Sequence, residues 1–258
     1  MEQSTRAWVL DFGTAYGITE RLAVHASIPF LHTTFENRDV EDTESSFGDL
    51  TIIGRYTWTL FSGVRVSQLS VAAGVNVPMG GGVQNPISSD RNFVSGTLDP
   101  IIAASGAVPL STVISVDASV YARLILTEDD DGSKTGSFLS YSLTGRYKLR
   151  RQGVDLSLRL TGLNRAQDEI DGRPFSNSGG DWLFLSPGIS WDMSQADAHG
   201  LQVWGTVEIP VYQFVNGVQL TEDWTARFGL RYGLDLFGHL GGMGQPPPQH
   251  RSSLTPSL

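Results

Sequence analysis

Charged side chains recur at alternate positions inside otherwise apolar stretches of this chain, and any chemistry must start from that spacing. The basic set is Arg55, Arg123, Arg146, Lys148, Arg159, Arg227 and Arg231. Against it stand Asp11, Asp49, Asp99, Asp117, Asp155, Asp192, Glu208 and Asp235, with His25 as a neutral addition. Such a set has two uses. It can form rungs that line a path for a solute, or it can form cross-strand ion pairs that fill a narrow interior. The near balance of signs predicts no strong selectivity for ions of one charge, and the sequence leaves the two uses open.

Other chemistries find little to work with. A hydrolase would need a serine, a histidine and an orienting group converging at one point. His239 and His250 lie in a Gly/Pro/Ser-rich stretch and His199 in a turn, while His25 and His32 fall at opposite parity within one strand. The same parity denies them a metal pair, so neither a catalytic nor a metal site is expected, and no cofactor. Met79-Gly80-Gly81-Gly82 lacks the Lys-Ser/Thr that a phosphate loop requires. Glu128-Asp129-Asp130-Asp131-Gly132 hints at a calcium loop, but Thr127 and Phe138 stand where the first and twelfth ligands belong.

The elements that must position the charges are long strands. Trp224 to Phe237 reads W-T-A-R-F-G-L-R-Y-G-L-D-L-F, with Ala226, Phe228, Leu230, Tyr232, Leu234 and Leu236 on one parity. Thr225, Arg227, Gly229, Arg231, Gly233 and Asp235 occupy the other, so one face is apolar and one polar. The same alternation predicts strands over 6–16, 21–34, 47–60, 67–78, 94–107, 113–125, 138–149, 154–164, 182–192, 201–213 and 224–237. Most exceed the five or six residues common in soluble sheets and reach the nine to eleven that a tilted strand needs to cross a bilayer. Short turns alternate with longer loops at 35–46, 79–93, 126–137, 165–181 and 214–223, as in bacterial barrels. Tyr16, Tyr56, Trp58, Tyr147, Trp191 and Tyr232 gather near the short-turn edge, with Trp8, Phe30 and Tyr141 toward the other. Two aromatic girdles are what a bilayer interface selects.

The fold class expected is therefore all-β, an antiparallel transmembrane barrel over residues 1–237 in a bacterial outer membrane. On this register Ile52 meets lipid and Thr51 does not, so arginine at 52 should cost far more than at 51. Residues 238–258 lack periodicity and read as a disordered tail. Eleven strands would leave the first and last parallel. A further outward strand and a signal peptide upstream of Met1 are expected, making twelve, since single-chain bacterial barrels hold even numbers.

The totals agree with that class. Among 258 residues, 17% are charged, 29 are glycine and none is cysteine; the mean hydropathy is -0.10. No run of 18 apolar residues exists to form a membrane helix. A net charge of -9 argues against a nucleic-acid partner, whose phosphates need a basic footprint. The surplus acids sit in the long loops at Glu36, Asp39, Glu41, Asp42, Glu44, Glu128 to Asp131, Glu222 and Asp223. They read as a solvated rim, or as carboxylates that bridge through divalent cations to lipopolysaccharide phosphates.

Particular words in the chain carry a resemblance. Tyr16-Gly17-Ile18-Thr19-Glu20-Arg21-Leu22 with Pro29, Gly48-Asp49-Leu50 leading to Gly54-Arg55-Tyr56, Thr97-Leu98-Asp99-Pro100, and Pro210-Val211-Tyr212-Gln213 with Asn216-Gly217 and Gln219-Leu220 all contribute. Together they resemble a family of outer-membrane transporters named for its association with meta-pathway degradation of phenol. The closing strand, with Arg227, Gly229, Tyr232 and Leu234, also resembles the C-terminal signal read by the barrel-assembly machinery. The resemblance implies a barrel in contact with lipid that passes aromatic or other hydrophobic small solutes, and it supplies no site residues. The expected function is a passive channel for such solutes. The alternative is a structural or partner-binding envelope barrel with a plugged lumen.

Overall fold

The computed structural model describes residues 3–37, 40–62, 65–79, 96–129, 132–149, 153–193, 201–219, 221 and 223–232. Leu234, Asp235, His239, His250 and the tail expected at 238–258 lie outside them.

The long alternating stretches all form antiparallel strands. They are β1 (Gln3–Gly17), β2 (Leu22–Asn37), β3 (Val40–Phe47), β4 (Leu50–Ser62), β5 (Arg65–Val77), β6 (Asp99–Pro109) and β7 (Ile114–Arg123). After the two-residue β8 (Ser133–Lys134) come β9 (Phe138–Leu149), β10 (Val154–Arg165), the short β11 (Glu169–Ile170) and β12 (Arg173–Pro174), then β13 (Gly180–Asp192), β14 (Leu201–Val215) and β15 (Thr225–Tyr232). The main sheet runs β1-β2-β4-β5-β6-β7-β9-β10-β13-β14-β15, each strand antiparallel to its chain neighbour. This meander keeps every pairing local, so short-turn ends lie together along one rim and long-loop ends along the other. With eleven strands on that path, β1 and β15 run in the same direction.

Three loop expectations are revised. Residues 35–46 continue the sheet: β2 runs on to Asn37 and folds back as β3, pairing Phe30 with Phe47 through Asn37 with Val40. Thr33, Thr34, Thr43 and Val40 are β-branched and favour strand despite the acids between them. At the same rim, β8, β11 and β12 form a small second sheet from the loops expected at 126–137 and 165–181. Asp168 ties these loops together, its Oδ1 accepting from the Gly136 amide at 2.7 Å and from Arg165 Nη2 at 2.6 Å, while its own amide donates to Ser178 Oγ at 2.8 Å.

The two faces of the sheet differ sharply. Leu139, Tyr141, Leu143 and Tyr147 of β9, Leu156, Leu158 and Leu160 of β10, and Phe228, Leu230 and Tyr232 of β15 are all exposed. An apolar band of that extent is excluded from water and belongs against hydrocarbon. Seven of the nine residues expected in the girdles, Trp8, Tyr16, Trp58, Tyr141, Tyr147, Trp191 and Tyr232, are exposed on it, while Phe30 and Tyr56 are half-buried beside the rings of Phe47 and Trp58. The opposite, covered face holds the buried groups.

Close packing between strands fixes some glycines. A Cβ at Gly74 would stand 2.1 Å from the Ile52 carbonyl oxygen and 2.8 Å from the Ile53 Cα, both backbone atoms that cannot turn aside. Gly74→Ala is expected to cost about 1–3 kcal/mol in denaturant unfolding, as overpacking does. Gly145→Ala, where a Cβ meets nothing within 4 Å, should change stability by less than about 0.5 kcal/mol.

Candidate functional site

The covered face divides into two tiers. Toward the long-loop rim lies a buried polar cluster built by β4, β5, β6 and β7. Arg123, at the end of β7, donates from Nε and Nη2 to Asp99 Oδ2 at 2.8 and 2.6 Å, and from Nη2 to Asp49 Oδ2 at 3.1 Å. Asn76 Nδ2 donates to the same Asp49 oxygen at 2.6 Å, and its Oδ1 accepts from Thr51 Oγ1 at 2.7 Å. Thr97 Oγ1 donates to Asp99 Oδ1 at 2.6 Å. Asp99 is fully buried and Arg123 only 3% exposed, so these are ion pairs out of water. At such sites, removing one partner costs far more than at the surface. Asp49 and Asp99 come from two separate words of the sequence, G-D-L and L-D-P, and Arg123 is the group that joins them.

Beside this cluster the covered face turns apolar. Ile53, Ile101 and Tyr121 pack together with Ala72, Ala103 and Phe138, the Tyr121 and Phe138 rings 5.7 Å apart. Leu163, Trp182 and Phe184 form a second group with Val215, and Phe138 touches both. All project from the long-loop halves of their strands. Alternation places Ile53 and Tyr121 on the polar parity, but it cannot show that scattered exceptions on eight strands gather toward one rim.

The remaining charges lie in the middle and toward the short-turn rim. Arg146 Nε stands 3.2 Å from Asp117 Oδ2 across the β7–β9 pair. Arg227 Nη2 stands 3.1 Å from Glu208 Oε1 across β14–β15. Arg159 Nε donates to Thr144 Oγ1 at 3.2 Å, and Arg231 Nη1 to Gln202 Oε1 at 3.3 Å. Lys148 and Asp155 are opposite each other in the β9–β10 register. Arg55, on β4, sits in register with Ala23 of β2 and Ala72 of β5. Thr57 with Ser70 and Ser119 with Ser142 add hydroxyl pairs at 2.9 and 2.8 Å.

One expectation about the register changes in detail. Ile52 is exposed and Thr51 is not, as the alternation requires, but Thr51 is only 4% exposed and bonds Asn76. Arginine at 51 would break the buried cluster, so it is not the mild substitution that the polar parity alone implied. Gln68, on the covered face nearer the short-turn rim, is the better control. In the closing strand, Arg227 and Gly229 take the covered parity and Tyr232 the exposed one. The Trp204 ring lies over Gly229, where a Cβ would come within 2.4 Å of it.

With this geometry in hand, known proteins can be set beside the chain. No curated protein matches it. A crystal structure of an outer membrane channel from Pseudomonas putida F1 has a similar fold, with a TM-score of 0.68 at 17% sequence identity, covering 89% of this chain and 83% of that one. A family model described as "Putative MetA-pathway of phenol degradation" matches residues 3–221. The match takes in every strand of the main sheet except β15, together with the Asp49–Asp99–Arg123 cluster, and the chain belongs to that family.

Proposed function

We propose that the protein is a passive channel of the bacterial outer membrane for small solutes, aromatic and other hydrophobic ones among them. The carrying observation is a continuous meander of bilayer-length strands with an exposed apolar face and a covered face that carries charges in its middle. The fold shared with the P. putida channel and the family's phenol-degradation description support the same reading. In this reading the covered face is the lumen, lined by Asp49, Arg55, Asp99, Asp117, Arg123, Arg146, Lys148, Asp155, Arg159, Glu208, Arg227 and Arg231. Short turns face the periplasm and long loops the exterior. The assembly machinery reads the closing strand through Arg227, Gly229, Tyr232 and Leu234, and the acidic loops meet lipopolysaccharide.

The tight packing around Arg123 and Phe138 favours a second reading, a structural or partner-binding barrel whose lumen is plugged at that level. Replacing Arg55, Arg146 and Arg159 together by Glu separates the two. In a confined low-dielectric path, reversing three charges should swing ion selectivity in planar bilayers toward cations. Unchanged selectivity and conductance would point to the plug.

A further inference from the structure

Near the short-turn rim, one large ring stands on the covered face among small neighbours. Trp204 of β14 is opposite Gly229 of β15 on one side and Ser190 of β13 on the other. A Cβ at Gly229 would stand 2.4, 2.5 and 2.5 Å from Trp204 Cε2, Cζ2 and Nε1. The indole therefore lies over that glycine, on the parity of Arg227 and Arg231. The next residue of β14 on this face, Thr206, is opposite another glycine, Gly188. The half-burial of Trp204 follows: one face of the ring rests on backbone, and no large side chain stands opposite it in either ladder. The other tryptophans differ. Trp8, Trp58, Trp191 and Trp224 are exposed, and Trp182 is buried in the apolar tier.

Two arginines bracket the ring. Arg227 and Arg231 stand two residues to either side of Gly229 on the same face. Arg227 is held by Glu208 at 3.1 Å. Arg231 Nη1 donates to the Gln202 amide oxygen at 3.3 Å, which is long for such a bond. A guanidinium carries five donors in a planar fork, so a carboxylate can join Arg231 beside the partners it already has. Of the acids at this level, Glu208 is engaged by Arg227, and Asp192 lies at the end of its strand, opposite Gln202. An indole face beside such a fork is complementary to a flat ring that carries an anionic group. The ring stacks and the carboxylate is held by charge-assisted bonds. The long loops carry the surplus acids and repel the same anion, so its approach is from the short-turn end.

We propose that Trp204 and Arg231 form a subsite for aromatic carboxylates at the short-turn mouth of the covered face, the indole stacking on the ring and the guanidinium taking the carboxylate. As a station in passage the subsite rests on the channel reading; as a binding site it does not. The probe is para-nitrobenzoate, whose ring quenches indole fluorescence on contact, added to the folded full chain in an uncharged detergent. Saturable quenching is expected above the linear loss from the exposed tryptophans, and Trp204→Leu should abolish it. Titration calorimetry with the same probe reads the affinity. Trp204→Leu should weaken binding about tenfold, the worth of a stacked ring. Trp204→Phe, which keeps a ring, should retain most of the affinity and guards against a mere folding defect. Arg231→Gln should weaken binding about tenfold through the lost charged bond. Para-nitrobenzyl alcohol, the neutral counterpart, should quench without saturation. Saturable quenching that survives Trp204→Leu, affinity indifferent to Arg231→Gln, or equal binding of the alcohol overturns the subsite. Conductance in planar bilayers tests the channel separately. A silent membrane with saturable quenching intact overturns the channel reading and leaves the site; ion conduction without saturable quenching overturns the subsite and leaves the channel.

Discussion

Truncation of Arg123 to alanine is expected to be the most damaging single change in the covered face, costing about 3–5 kcal/mol in unfolding from detergent or bilayer. The reason is what it leaves behind. Asp49 and Asp99, 2% and 0% exposed, would face each other without the guanidinium between them. Arg123→Lys should recover little, since an ammonium cannot present Nε and Nη2 to Asp99 while also reaching Asp49. Replacing the charges together, as Asp49→Asn, Asp99→Asn and Arg123→Met, should cost less than Arg123→Ala alone, because no buried ion is then orphaned. An Arg123→Ala protein as stable as the parent would show that the cluster is hydrated and contributes little.

Ile52→Arg is expected to cost about 2–4 kcal/mol, the penalty for arginine near the midplane of the lipid-facing surface of a barrel. Ile52 lies between Ala26 and Val75 in the register and is exposed. Gln68→Arg, on the covered parity of β5, should stay within about 1 kcal/mol. Equal losses at the two positions would contradict the assignment of faces, and a water-soluble monomer without detergent would contradict the membrane reading altogether.

The two predictions show what alternation could and could not disclose. Parity in W-T-A-R-F-G-L-R-Y and its sister strands was enough to sort lipid-facing from covered residues, because a one-residue slip would put every arginine in hydrocarbon. It also gave the meander, since short and long connections alternate along the chain. The strand at Val40–Phe47 was hidden by three acids, Glu41, Asp42 and Glu44, which read as a loop until β2 supplied a partner. The pairing of Arg123 with Asp49, 74 positions away, depends on registers accumulated through β5 and β6. No local pattern encodes it. Likewise, Tyr121, Phe138, Leu163 and Trp182 look like isolated lapses in alternation. Only with all the ladders in place do they become one apolar tier.

The most direct test of the account is planar-bilayer recording of the purified, folded protein, with and without an aromatic solute. Discrete ohmic steps of weak ion selectivity, reduced reversibly when the solute is added, are the predicted result. A membrane that stays silent after verified insertion would contradict the channel and leave a plugged envelope barrel in its place.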